Sequence, residues 1–165
     1  MPTRIKLIDG EFSLVEDPFT YAADDEDLPR GDLVISLTRF QAEGERLLSE
    51  GRSVGVRLEP AEEVEVLAYD LPRLALVAVA FPKFNDGRGY TAARLLRERY
   101  GFKGEIRAVG DVLREQAGLM VRVGFDAFEP ADGSTPEQWA HNARRHRHVY
   151  QRAADSRPPA YAERG

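Results

Sequence analysis

Ten residues, FPKFNDGRGY at positions 81–90, hold the densest group of side chains in this chain that could do chemistry. Glycines at 87 and 89 would let a ligand approach backbone N–H groups at the start of a helix, where the helix dipole favours an anion. Lys83 and Arg88 would add positive charge, and Tyr90 and Thr91 could donate hydroxyls. The candidate anion- or nucleotide-binding set is therefore Lys83, Asn85, Asp86, Gly87, Arg88, Gly89, Tyr90 and Thr91. A plainer reading competes with it. Asn85 or Asp86 is a good helix N-cap, and the glycines could serve only the turn. The stretch matches neither a Walker A pattern nor GxGxxG, and Asp86 would repel an anion placed too close.

Asp111, in AVGDVL, is a candidate general acid or base, with helix N-capping as its ordinary alternative. His141, His146 and His148 are spaced by five and two residues, which puts neighbouring imidazoles on different helix faces. His141 and His148 share a face but lie about 10 Å apart, so no metal site is expected. Arg144, Arg145 and Arg147 form a basic stripe that could dock an acidic partner or a second copy of the chain.

The chain has no cysteine, which excludes disulfides, thiolate nucleophiles and Cys-ligated metal clusters within it. Redox chemistry would need a dissociable flavin or nicotinamide, or a partner that carries the electrons. The formal charge of −5 argues against nucleic acid as a partner. The longest apolar run, Leu74 to Phe81, is too short to span a bilayer, and the first ten residues lack a signal-peptide core. No membrane partner is expected, and the cytoplasm is the expected compartment.

These groups need a frame, and the hydrophobic pattern supplies one. Asp9-Gly10 between RIKLI (4–8) and FSLV (12–15) predicts a hairpin, followed by an acidic connection over 16–32 that Phe19 and Tyr21 could pin to the body. From residue 33 strands and helices alternate: strands over 33–37, 53–58, 74–81, 105–109 and 119–125, and helices over 39–51, 61–71, 87–101, 112–118 and 136–154. This predicts one α/β domain over 1–154 with a flexible tail over 155–165. The expected sheet is mostly parallel, of about five strands with helices on both faces and flavodoxin-like in scale. A partial barrel-like βα arc is the alternative. In either, ligands would bind at the carboxyl ends of the strands.

Four blocks carry a resemblance: LEPAEEVEVLAYDLP (58–72), FPKFNDGRGY, RLLRERYGF (94–102) and AVGDVLREQ (108–116). With the residues between and after them, to position 129, they strongly resemble an uncharacterised bacterial domain family. Its members are labelled as oxidoreductases connected with assimilatory sulfite reduction, and they accompany the sulfite reductase hemoprotein. The family landmarks fall on Phe81, Lys83, Phe84, Asp86, Gly87, Arg88, Gly89, Tyr90, Arg94, Arg97, Gly110, Asp111, Arg114 and Phe125. The resemblance implies an accessory role in sulfur assimilation with the hemoprotein as partner, and it brings no reaction with it. A small-molecule enzyme and a structural homo-oligomer without a ligand are the alternatives.

Overall fold

The computed structural model describes residues 2–144. Eight strands form one sheet: β1 (Thr3–Ile8), β2 (Glu11–Glu16), β3 (Thr20–Tyr21), β4 (Leu33–Ser36), β5 (Val54–Leu58), β6 (Leu76–Phe81), β7 (Glu105–Gly110) and β8 (Ala127–Phe128). Helices α1 (Leu37–Ser49), α2 (Gly87–Arg94), α3 (Ala117–Val123) and α4 (136–144) lie between and after them. The spatial order is β2-β1-β8-β7-β6-β5-β4-β3. The ladder is parallel from β3 to β8, and β1 joins it antiparallel, carrying β2 with it.

The sheet is larger than the expected five strands, because the hairpin joins it and two of its strands are only two residues long. The hairpin forms where Asp9-Gly10 predicts it. Both residues take positive φ, 52° and 83°, the requirement of the tight turn that matches strand twist. The buried side chains of all four helices fall in a single cluster with Val54, Val56, Val77, Val79, Phe81, Ile106 and Phe128. Among the described residues the helices therefore do not lie on both faces, and the arc-like alternative fits: the sheet curls into a half-barrel with these helices outside.

One contact demonstrates the curl. Tyr21 on β3 reaches Arg107 on β7, although β4, β5 and β6 lie between them in the sheet. Four strand spacings in a flat sheet would separate them by about 19 Å. Only a curled sheet turns the two side chains toward each other across its concave side.

Two local expectations need correction. Residues 61–71 form two short 3₁₀ turns, Val64–Leu67 and Leu71–Arg73, instead of one helix. Residues 119–125 are not a strand; they fall mostly within α3, which ends at Gly124 with φ 115°. The reason is topological. β8 lies parallel to β7, and a parallel neighbour needs a crossover, so the LMVRV run must leave the sheet and cover it.

Candidate functional site

The carboxyl edge of the sheet is built around β6. All six of its residues are buried, and the strand stops at Pro82, which cannot donate to a ladder. A turn closed by the Asp86 N–H on the Lys83 carbonyl, 3.1 Å, leads into α2. Asp86 caps that helix: its carboxylate accepts the Arg88 N–H at 3.0 Å. The Arg88 guanidinium then folds back on the same carboxylate, at 3.1 and 2.9 Å. Arg88's hydrogen bonds hold Asp86 below its ordinary range, and Asp86 in turn raises Arg88.

The rest of the turn is braced from the β7 side. Asp111 Oδ2 accepts the Phe84 N–H at 3.1 Å, and the Tyr90 hydroxyl donates to Gln116 Oε1 at 2.8 Å. Thr91 donates to the Gly87 carbonyl at 3.2 Å. Gly110 takes φ 96°, and a Cβ there would sit 2.5 Å from the Phe81 carbonyl oxygen, so the two strand ends meet only because it is glycine. Arg97 donates to the carbonyls of Phe102, Gly104 and Gly124 at 2.8 to 3.0 Å and ties the π-helical turn that extends α2, Leu95–Arg99, to the β7 entry and the end of α3.

The structure thus brings Asp86, Gly87, Arg88, Tyr90, Thr91 and Asp111 into one connected turn, but most of their polar groups serve one another. Lys83, Phe84 and Asn85 stay exposed on its crest. The Lys83 ammonium makes no ion pair or hydrogen bond among the described residues. Phe84 is 40 % exposed although its backbone is fixed. A groove of about 700 Å³ runs beside α2, walled by Glu62, Glu63, Val64, Arg88, Thr91 and Leu95; Lys83 and Asp111 do not line it. Arg144 is exposed on α4, while Arg145, Arg147, His146 and His148 lie outside the described residues.

A second constellation was not foreseen. On the concave face Arg107 is fully buried and bonds to Asp17 (2.8 and 3.1 Å), Glu105 (2.8 Å) and Glu129 (2.9 Å), with the Tyr21 hydroxyl at 3.2 Å. Glu105 also receives Arg4 and Lys6, both at 2.9 Å. Burial alone would raise Glu105, but the hydrogen bonds of Arg4, Lys6 and Arg107 overcome it and bring the carboxyl down to about 2. Burial would likewise lower Arg107; Asp17, Tyr21 and Glu105 reverse this and hold it above the ordinary guanidinium range. Burial pushes the Tyr21 phenol up, and Glu129 adds to it against the pull of Arg107. The residue is 37 % exposed, and its hydroxyl donates to Glu129 at 2.5 Å and lies 3.2 Å from Arg107. Strand alternation hides this cluster, because Glu105 and Arg107 read as the solvent side of a short strand.

The chain belongs to the family described as bacterial protein of unknown function (DUF934), whose model matches residues 55–161. No curated protein matches it.

Proposed function

We propose that the protein is a cytoplasmic accessory of assimilatory sulfite reduction that acts by contact with a partner at the β6–α2 turn. The sequence resemblance supplies the pathway, with the sulfite reductase hemoprotein as the partner. One observation carries the mode of action. The groups an active site would need at this strand edge are engaged with each other, Asp86 with Arg88 and Asp111 with the Phe84 N–H, while Lys83 and Phe84 remain open. A fixed aromatic beside an unpaired cation is the composition of an interface anchor.

The test is affinity capture of the hemoprotein at low salt by the full chain and by Lys83→Ala/Phe84→Ala. The unaltered chain is expected to retain the hemoprotein and the double variant to lose at least tenfold in affinity. Failure of the unaltered chain to retain it overturns this reading.

A second reading, a small anion or nucleotide held at residues 83–91, is favoured by the groove beside Arg88 and Thr91. It requires Arg88 to exchange Asp86 for the ligand. A thermal-shift panel of sulfate, sulfite, phosphate, adenylyl sulfate, flavin mononucleotide and NADPH separates the two. A ligand at one hundred times its dissociation constant stabilises by about 2.7 kcal/mol. Such a shift, lost in Lys83→Ala/Arg88→Ala, would make the turn a ligand site and favour an enzyme.

A further inference from the structure

The concave face holds an arrangement that the turn does not explain. Two guanidiniums borne by the sheet, Arg107 on β7 and Arg4 on β1, converge on one carboxylate, that of Asp17. Arg107 makes a two-pronged fork to it, the geometry that matches carboxylates and tetrahedral oxyanions alike. Arg4 Nη1 lies 3.9 Å from the same carboxylate.

Both guanidiniums are also fixed without Asp17. Glu105 takes the Nε of Arg4 at 3.1 Å and the Nε of Arg107 at 2.8 Å, leaving both Nη groups of Arg107 to Asp17, while Arg4 Nη1 donates to the neighbouring Glu16 carbonyl at 2.7 Å. Within the connected ion network, Arg4, Lys6, Arg97 and Arg107 face Asp17, Glu105, Asp126 and Glu129. Remove Asp17 and one buried positive charge is unmatched. The cavity so formed calls for an anion.

Asp17 follows β2 directly, with its N–H on the Pro2 carbonyl at 2.9 Å, and the segment after it is lightly held. β3 has two residues, paired on one side only, and its outer backbone bonds are Thr20 N–H to Asp32 at 3.0 Å and Ala22 N–H to Val34 at 3.1 Å. Phe19 anchors it on Val34, Leu76, Ala78, Ala80 and Val109. Strands β7 and β1, which carry the arginines, are paired on both sides.

We propose that Arg107 and Arg4 form a binding site for a small oxyanion of the sulfate or phosphate class, and that residues 17–22 are a displaceable strap whose Asp17 occupies it in the ligand's place. The strap and a bound oxyanion exclude each other. Ligand entry releases the β3 edge and uncovers the apolar strip under Phe19, so the site reports anion occupancy as a change of surface. This inference is independent of the β6–α2 turn.

The deciding experiment is amide hydrogen exchange on the intact chain in sodium sulfate and in sodium chloride at equal ionic strength. Sulfate is expected to speed exchange at Thr20 and Ala22 at least tenfold while leaving Val77 and Val79 of β6 unchanged. Equal rates in the two salts, or strap amides that exchange only with the whole chain, overturn the proposal. Asp17→Asn gives a second readout. Its melting temperature is expected to fall in chloride and to recover in sulfate, and the recovery should vanish in Asp17→Asn/Arg4→Met. Recovery that survives removal of Arg4 is an adventitious ion effect only and also overturns it. If Asp17→Asn does not fold, the exchange rates of the unaltered chain decide.

Discussion

The two faces of this sheet are closed by different means. Outside, the helices bury Leu47, Leu96, Met120 and Trp139 on valines and phenylalanines of the strands, so contact there is non-directional and divisible among many side chains. Inside, a small apolar strip under Phe19 is joined by one guanidinium and the carboxylates around it. An apolar face tolerates repacking, whereas an ion network accepts only the partners that match its geometry and charge. The difference teaches where specificity sits. The outer face supplies stability to hold a curled sheet, and the inner face decides which segment lies across it.

The largest expected effect breaks this comparison directly. Arg107→Met keeps an unbranched apolar stem and deletes the guanidinium, leaving Asp17 and Glu129 without their main partner. The loss should be about 3–5 kcal/mol, the range for a buried pair reduced to one member. Urea unfolding followed by circular dichroism measures it. A loss under about 1 kcal/mol would mean that the strap is held by Phe19 and its backbone alone, and that the two faces do not differ in kind.

Acid should then act most strongly on the inner face, through Glu105. Glu105 has a folded value of about 2, below its value in the unfolded chain. A depressed carboxyl contributes stability that is fully present above the unfolded value and is lost as the pH falls through the folded one. The contribution is on the order of 3 kcal/mol, and the window runs from about pH 4.5 to about pH 2. Unfolding free energies measured across that window should drop in the unaltered chain and much less in Glu105→Gln. A parallel drop in both proteins would assign the acid sensitivity to other carboxylates.

Much of the outer face is legible in the sequence, and almost none of the inner one is. β4, α1, β5, β6, α2 and β7 fall where apolar runs and glycine stops place them, because the helices bury one stripe each and the strands are short runs buried on both faces. The LMVRV run misleads because a short apolar stretch with spaced valines fits a strand as well as a buried helix, and the strand that follows it has only two residues. The turn at 83–91 is legible as a set of residues, but whether Arg88 faces a ligand or Asp86 is a matter of side-chain pairing that spacing does not encode. Arg107 is the extreme case. Its burial is supplied by Asp17, ninety positions away, across a curl that no local period reveals.

The smallest effect sharpens the comparison from the outer side, at the point where it meets the proposed contact surface. Gly89 sits in the first turn of α2, and a Cβ there would lie 2.5 Å from two ring carbons of Phe81. That ring is fully buried and has Tyr90 at 5.2 Å and Phe125 at 5.7 Å, so it has little room to yield. Alanine in a helix is worth about 0.5–1 kcal/mol over glycine, while forcing a methyl into packed surroundings costs about 1–3 kcal/mol. Gly89→Ala should therefore destabilise by about 1 kcal/mol, less than Arg107→Met, with the helix start displaced from β6. Urea unfolding should register that loss, and partner capture should weaken with it because Phe84 and its brace move with α2. A stabilised Gly89→Ala would mean that the outer face absorbs a methyl group by repacking even at its tightest contact, and that the turn is free to move over the strand that carries it.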